Sequence, residues 1–254
     1  MRRVRVIPTL LIRDGKLVKS LKFKKHDYLG DPINTVRIFN DKEADELVLL
    51  NISNNRHKQS INYHLIKDIV SEAFMPIAYG GGVRTLEQIG EILNLGVEKI
   101  ILNTSLINEK LIQDAVAAFG SQSIVASLDI NKNLFGASGF YINNGKKKIS
   151  SDPIQFAKQC EQLGIGEIIL HSIQREGTYL GYDCQLIKKV SEAVSIPLVA
   201  LGGAGSIEDF KAAIDSGASA VAAGSLFVYS GKRKGVLINY PNDELKIKLY
   251  EKLK

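Results

Sequence analysis

Short apolar runs alternate with longer amphipathic stretches along the whole chain. Val4 to Leu11 opens with a run of strand length, and Glu46–Ile52, Pro76–Tyr79, Lys99–Asn103, Ser123–Asp129, Glu167–Ser172, Pro197–Leu201 and Ala220–Ala223 follow it. Each is long enough for a buried strand, and the stretches between them carry helix-spaced apolar residues. The helix starts are marked chemically. Asp31-Pro32 and Asp152-Pro153 place an acidic cap before a proline, Thr85 to Gln88 reads as a capping box, and Ser206 with Asp209 repeats that pattern. The predicted helices include 62–74, 108–119 and 183–193, and a Lys-rich amphipathic helix over 243–253 closes the chain. The stretch 131–151 alternates and contains Asn144-Gly145, which predicts a β-hairpin above the fifth strand. The polar stretch 13–29, with Lys16, Lys19, Lys22, Lys24 and Lys25, reads as a long connecting loop of the kind that serves as a lid.

The pattern repeats. Pro76-Ile77-Ala78-Tyr79-Gly80-Gly81-Gly82 aligns with Pro197-Leu198-Val199-Ala200-Leu201-Gly202-Gly203, an offset of 121 residues. The same offset pairs Gly96 with Gly217, Asn103-Thr104 with Gly224-Ser225, and Glu46–Leu49 with Glu167–Leu170. Eight β-α units in two similar halves, roughly 1–122 and 123–254, predict one α/β domain: a (β/α)8 barrel built from two half-barrels.

Composition narrows the function classes. The charge is +6 with 45% hydrophobic and 24% charged residues, as in a soluble globular protein. The lysines are dispersed and aromatics make up 7%, which argues against a nucleic-acid platform. No apolar run reaches the ~18 residues of a membrane span. Cys160 and Cys184 have no metal-ligand spacing, so neither a metal nor a cofactor is expected, and a cytoplasmic setting is the default.

In such a barrel the loops after the strands form the active face. Gly82, Asn103 and Thr104 in one half, and Gly177, Gly203, Gly224 and Ser225 in the other, place two Gly-bearing anion sites across one mouth. A ligand with a phosphate at each end would bridge them. Asp129 ends the fifth strand as a candidate acid or base, with His171 and Glu176 nearby in the sixth unit. At the opposite end, Arg5, Glu46, Lys99 and Glu167 sit near four strand starts. Two bases and two acids there predict a salt-bridged plug or gate.

These residues together resemble the cyclase subunit of imidazole glycerol phosphate synthase, over essentially the whole chain. The marks are Asp14-Gly15-Lys16, Gly30-Asp31-Pro32, Gly80-Gly81-Gly82-Val83-Arg84, Gly177-Thr178, Gly181-Tyr182-Asp183 and Gly202-Gly203-Ala204-Gly205. The resemblance implies a glutaminase partner at the strand N-terminal face, with ammonia passing through the barrel to a bis-phosphorylated substrate. It implies that Arg5, Glu46, Lys99 and Glu167 are the ammonia gate and that Lys19 is a mobile-loop lysine. It also implies two phosphate sites at the residues named above, with Asp129 as one of two catalytic aspartates. The second aspartate is missing, because the first strand reads Leu10-Leu11 where the family reads Leu-Asp. Asn51, His171 and Glu176 also replace an acidic residue, a threonine and an aspartate of the family pattern. A changed reaction is the expectation. The alternative the resemblance offers is a barrel that conducts ammonia beside a glutaminase and a separate sugar amidotransferase of surface-polysaccharide synthesis. A phosphate-binding barrel without catalysis ranks third.

Overall fold

The computed structural model describes residues 4–53, 61–133, 136–231, 233–242, 244 and 246. Its element order is β1 (Arg5–Arg13), β2 (Lys16–Leu21), β3 (Lys25–Gly30), α1 (Pro32–Asp41), β4 (Leu47–Asn51), α2 (Tyr63–Glu72), β5 (Ile77–Gly80), α3 (Leu86–Asn94), β6 (Lys99–Leu102), α4 (Glu109–Phe119) and β7 (Ile124–Lys132). The second half continues with β8 (Ser138–Ile142), β9 (Lys147–Ser150), α5 (Pro153–Gln162), β10 (Glu167–Ser172), α6 (Cys184–Ser191), β11 (Leu198–Leu201), α7 (Ile207–Asp215), β12 (Ala220–Ala223) and α8 (Ser225–Val228). A small hairpin, β13 (Tyr229–Ser230) and β14 (Gly235–Val236), follows. Of the helix expected over 243–253, all but Glu244 and Lys246 lies outside the described residues.

Eight parallel strands close on themselves in the order β1-β4-β5-β6-β7-β10-β11-β12, with β12 pairing back to β1. The fold is a (β/α)8 barrel. Inward and outward residues alternate as the pleat demands. Ile7, Val48, Ala78, Ile101, Val125, Ile169, Val199, Leu201, Ala220 and Ala222 form the inner cluster. The alternate residues, such as Val6, Leu10, Leu47 and Leu128, pack outward against the helices in the larger core. The helix caps are formed as the residues require. The Asp31 side chain accepts from Asn34 N, the Asp152 side chain accepts from Ile154 N and Gln155 N, and Thr85 with Gln88 completes a capping box.

The element bounds follow the sequence repeat. β5, α3 and β6 map onto β11, α7 and β12 at the 121-residue offset, end for end. The ladder also aligns the strands with which the halves begin. Leu11 pairs with Leu50 across β1 and β4, and Asp129 pairs with His171 across β7 and β10. The offset relates Leu50 to His171, so Leu11 and Asp129 are structural equivalents.

One expectation is corrected. Residues 13–29 are not a loop, since β2 and β3 form a regular antiparallel hairpin continuing from β1. Its counterpart in the second half is the hairpin β8–β9, which occupies the stretch where an inserted hairpin was expected. No alternation marks the first hairpin, because Leu17, Val18, Lys19 and Ser20 are all buried in β2 and β3 is polar and largely open to solvent. Its turn needs positive φ at Lys22 and Phe23, where glycine or asparagine would ordinarily mark it.

Candidate functional site

The two ends of the barrel are each closed by charges. At the strand starts, Arg5 forms ion pairs with both Glu46 and Glu167. Lys99 Nζ lies 3.0 Å from Glu46 Oε1 and 2.9 Å from Glu167 Oε2. The four therefore make a ring of alternating sign, each cation bridging both carboxylates. Arg5 and Lys99 keep part of their surface in water, whereas the two carboxylates are nearly buried. Burial works against the Arg5 cation, but its bonds to Glu167 and the charge of Glu46 hold its pKa above the ordinary arginine value. Isolated carboxylates would be costly at this depth, and the ring compensates them by pairing.

At the strand ends a second set of charges meets. Lys19 of β2 forms an ion pair with Glu176. Glu176 Oε2 lies 3.2 Å from His171 Nε2, and His171 Nδ1 lies 3.4 Å from Asp129 Oδ1. Ser127 Oγ stands 3.4 Å from the same Asp129 oxygen. None of Lys19, Glu176, His171 and Asp129 is more than 7% exposed. Burial opposes charge on His171, but its bonds to Asp129 and Glu176 outweigh it and raise its pKa to about 9. Burial likewise pushes the Glu176 carboxyl up, and the Lys19 charge with the His171 bond brings it down to about 2. At neutral pH His171 is thus an imidazolium with both ring N–H groups facing carboxylates, so it is not poised as a free base.

Leu11 and Leu50 face this network from the other half of the mouth. Both are inward positions, and Leu11 is buried. The first half thus presents two leucines where the second presents Asp129 and His171. Asn51 points away from the axis. Its Oδ1 accepts from Ser53 N at 3.1 Å and from Ser53 Oγ at 2.8 Å, and its Nδ2 lies 3.5 Å from Tyr79 Oη.

The glycine loops stand around the same mouth. Gly82 has positive φ and an almost open side-chain position. Asn103 Nδ2 donates to Ser127 O at 2.9 Å and to Tyr141 O at 3.2 Å. Thr104 Oγ1 accepts from Asn143 N of the second hairpin at 3.4 Å. In the other half Gly177 packs under Ser20 O, Gly203 against Gly181 O, and Gly224 against the ammonium end of Lys19. Ser225 is buried beside them, and the Tyr179 hydroxyl lies 3.4 Å from its carbonyl. A Cβ at Gly177 or Gly203 would collide with backbone at positive φ, so those two glycines are required by a close approach, while one at Gly224 would press on the Lys19 side chain.

Both hairpins bend over the mouth. Lys22 N donates to Glu176 O at 3.0 Å, and the Phe23 ring meets His171 edge-on at 4.9 Å between centroids. Lys19, which the resemblance implies to be a mobile-loop lysine, lies on β2, buried and paired with Glu176. Thr9, Ser127 and Phe23 were not among the residues singled out from the sequence. The inward parity of β1 and β7 identifies the first two once the strands are placed, but nothing short of the fold locates Phe23.

The descriptions of known proteins agree with this architecture. Residues 5–234 match the family described as histidine biosynthesis protein. The chain belongs to that family. Among its relatives is a protein of Pseudomonas aeruginosa, provisionally named imidazole glycerol phosphate synthase subunit hisF2. It is 48% identical over 95% of this chain and 97% of the relative. A protein of Vibrio vulnificus, provisionally named subunit hisF3, is 47% identical over 99% of this chain and 98% of the relative. The imidazole glycerol phosphate synthase subunit HisF of Alkaliphilus metalliredigens is 39% identical over 89% of this chain and 90% of the relative. This histidine-biosynthesis barrel is therefore a divergent relative of the cyclase subunit. Its two closed ends and its glycine loops are the parts that a functional reading must use.

Proposed function

We propose that this barrel takes ammonia from a partner glutaminase at its strand N-terminal face. It delivers the ammonia along its axis to a phosphate-bearing acceptor at the other end, with weakened or altered cyclase chemistry. The observation that carries the reading is the alternating ring of Arg5, Glu46, Lys99 and Glu167 below an apolar interior. A ring of paired charges excludes ions while an opening of one pair would admit a small neutral molecule. Phe74, almost fully exposed just before β5 and so at the same end as the ring, offers apolar surface for a docked partner. Gly82, Asn103 and Thr104 on one side of the mouth, and Gly177, Gly203, Gly224 and Ser225 on the other, are the groups proposed for the acceptor's two phosphates.

The altered chemistry follows from the asymmetry of the mouth. Asp129 survives, but its equivalent Leu11 cannot carry a proton, and acid–base help is worth about 10²–10⁴ in rate. His171 and Glu176 hold Asp129 in a paired state in place of the missing carboxylate. The test supplies the purified chain with ammonium salt and the bis-phosphorylated substrate of the histidine pathway. Little turnover is expected, with a gain of about tenfold or more in Leu11→Asp. Turnover at the rate of an unqualified HisF subunit, measured side by side, would sink the altered-chemistry reading.

A second reading, an ammonia conduit serving a separate sugar amidotransferase, is favoured by the same saturated mouth and by Leu21 and Leu180. Both are exposed, Leu21 at the end of β2 and Leu180 in the segment before α6. It requires that the acceptor be held by another protein, and it is tested by transfer of amide nitrogen from glutamine to a sugar only when all three proteins are present.

A further inference from the structure

Thr9 occupies the inward position of β1 between Ile7 and Leu11. It is 4% exposed, and its Oγ1 has no hydrogen-bond partner among the described residues. Buried hydroxyls are ordinarily satisfied, and leaving one unpaired is unfavourable, so this atom calls for an explanation. Across the axis Ser127 faces inward from β7, held only by its long contact to Asp129. Below these two hydroxyls lie Ile7, Val48, Ala78, Ile101, Val125, Ile169 and Val199, which offer no side-chain hydrogen bond. Above them stand Lys19, Glu176, His171 and Asp129, alternating in sign and sealed from solvent. A Cβ on Gly224 would meet both the Lys19 ammonium and the Thr9 backbone carbonyl, and the Ser127 hydroxyl touches Asp129 of the charged layer, so residues of the two levels adjoin.

We propose that Lys19, Glu176, His171 and Asp129 form a second, upper gate, and that Thr9 and Ser127 beneath it hold one small neutral molecule, ammonia, before release to the mouth. The assignment of ammonia rests on the function proposed above. A hydroxyl both donates and accepts, which suits a molecule that does the same. The two cations overhead balance the two carboxylates, so the layer carries no net charge that would draw ammonium upward. Three of the four gate members sit on barrel strands or the loop after β10, and only Lys19 belongs to a hairpin. Lys22 N on Glu176 O and Phe23 on His171 tie that hairpin to the same layer. Lifting the hairpin therefore withdraws Lys19 and opens the layer in one movement, which makes β2–β3 the moving part.

The gate and the station are tested on the full chain alone, labelled with nitrogen-15. In the unaltered protein both ring N–H protons of His171 are expected to be visible by NMR at neutral pH and to exchange slowly with water. Lys19→Met is expected to speed that exchange by about tenfold or more, the change for loss of one charge-assisted hydrogen bond from the closed state. Lys19→Arg should restore slow exchange, which separates gating from a general loss of fold. For the station, ammonium chloride at mildly alkaline pH is titrated against sodium chloride of equal ionic strength. The methyl signals of Ile7 and Ala222 should shift saturably, and should not do so in Thr9→Val. Fast ring-proton exchange in the unaltered protein, or no difference in Lys19→Met, overturns the gate. An ammonium response that is absent, or that persists in Thr9→Val, overturns the station. Failure of the ammonia reading looks different: slow exchange and the saturable shift both stand, yet no amide nitrogen from glutamine emerges from the complex with a glutaminase.

Discussion

Glu176→Gln changes one heavy atom in the upper layer and should be felt by both of its partners, Lys19 and His171. The substitution preserves shape and removes a charge that faces Lys19 on one side and His171 on the other. In the native protein the His171 pKa stands at about 9 against the ordinary 6.5. A displacement of that size corresponds to roughly 3 kcal/mol of folded-state preference for the imidazolium, at ~1.4 kcal/mol per pKa unit. Two carboxylates supply it, against a burial effect of opposite sign. Removing one of them should bring His171 back toward its ordinary value by on the order of one to two units, and stability at neutral pH should fall by about 1.5–3 kcal/mol. Lys19 is left without its anion as well, which places the loss toward the upper end.

The assay is a proton-carbon NMR titration of the histidine ring signals in both proteins, paired with urea unfolding at neutral pH. The sign of the pH dependence is fixed by the direction of the shift. A group whose pKa is raised on folding stabilises below its unfolded value, here about 6.5, and that contribution is lost as pH rises through about 9. The native protein should therefore lose stability between about pH 6.5 and about 9, and Glu176→Gln should show a weaker dependence over the same window. Glu176 itself acts at the other extreme. Its pKa is depressed to about 2, so its contribution is present above its ordinary 4.5 and is lost on acidification through about 2. A native His171 titrating near 6.5, or an unchanged His171 in Glu176→Gln, would refute the coupled-network argument.

Three further outcomes follow from the same geometry. Lys99→Met in the lower ring leaves Glu46 and Glu167 sharing Arg5 alone, and should cost about 3 kcal/mol in urea unfolding, with much of it regained in the double variant Lys99→Met, Glu167→Gln. Additive losses in that pair would speak against a connected ring. Gly81→Ala places a Cβ 2.1 Å from Asn51 O at positive φ, and should cost at least about 1–3 kcal/mol or prevent folding, read by circular dichroism and thermal unfolding. Thr85→Ala removes the α3 cap and should cost only about 1 kcal/mol in thermal unfolding, without changing ligand binding at the mouth.

Much of this architecture is local chemistry and therefore legible along the chain. A strand buried on both faces shows as an apolar run, a helix start shows as Thr85 with Gln88 or Asp152 with Pro153, and a duplicated half shows as a fixed offset. Those signals determined the barrel, its two halves and the ends at which the glycine loops and the four lower charges sit. The missing carboxylate at Leu11 was also visible, because the halves can be compared residue by residue. The hairpin over 16–30 was not legible in itself, since its burial does not alternate and its turn uses Lys22 and Phe23 at positive φ. Its twin in the second half carried the better signal.

Only the tertiary structure decided what the charges do. Lys19, Asp129, His171 and Glu176 lie on three separate stretches of chain, and no spacing along it reveals that they alternate in sign within one buried layer. Burial makes that layer consequential, because the same four residues in water would attract one another weakly. The orphaned hydroxyl of Thr9 is decided the same way: a threonine on a strand is ordinary until closure of the barrel removes every partner from its reach.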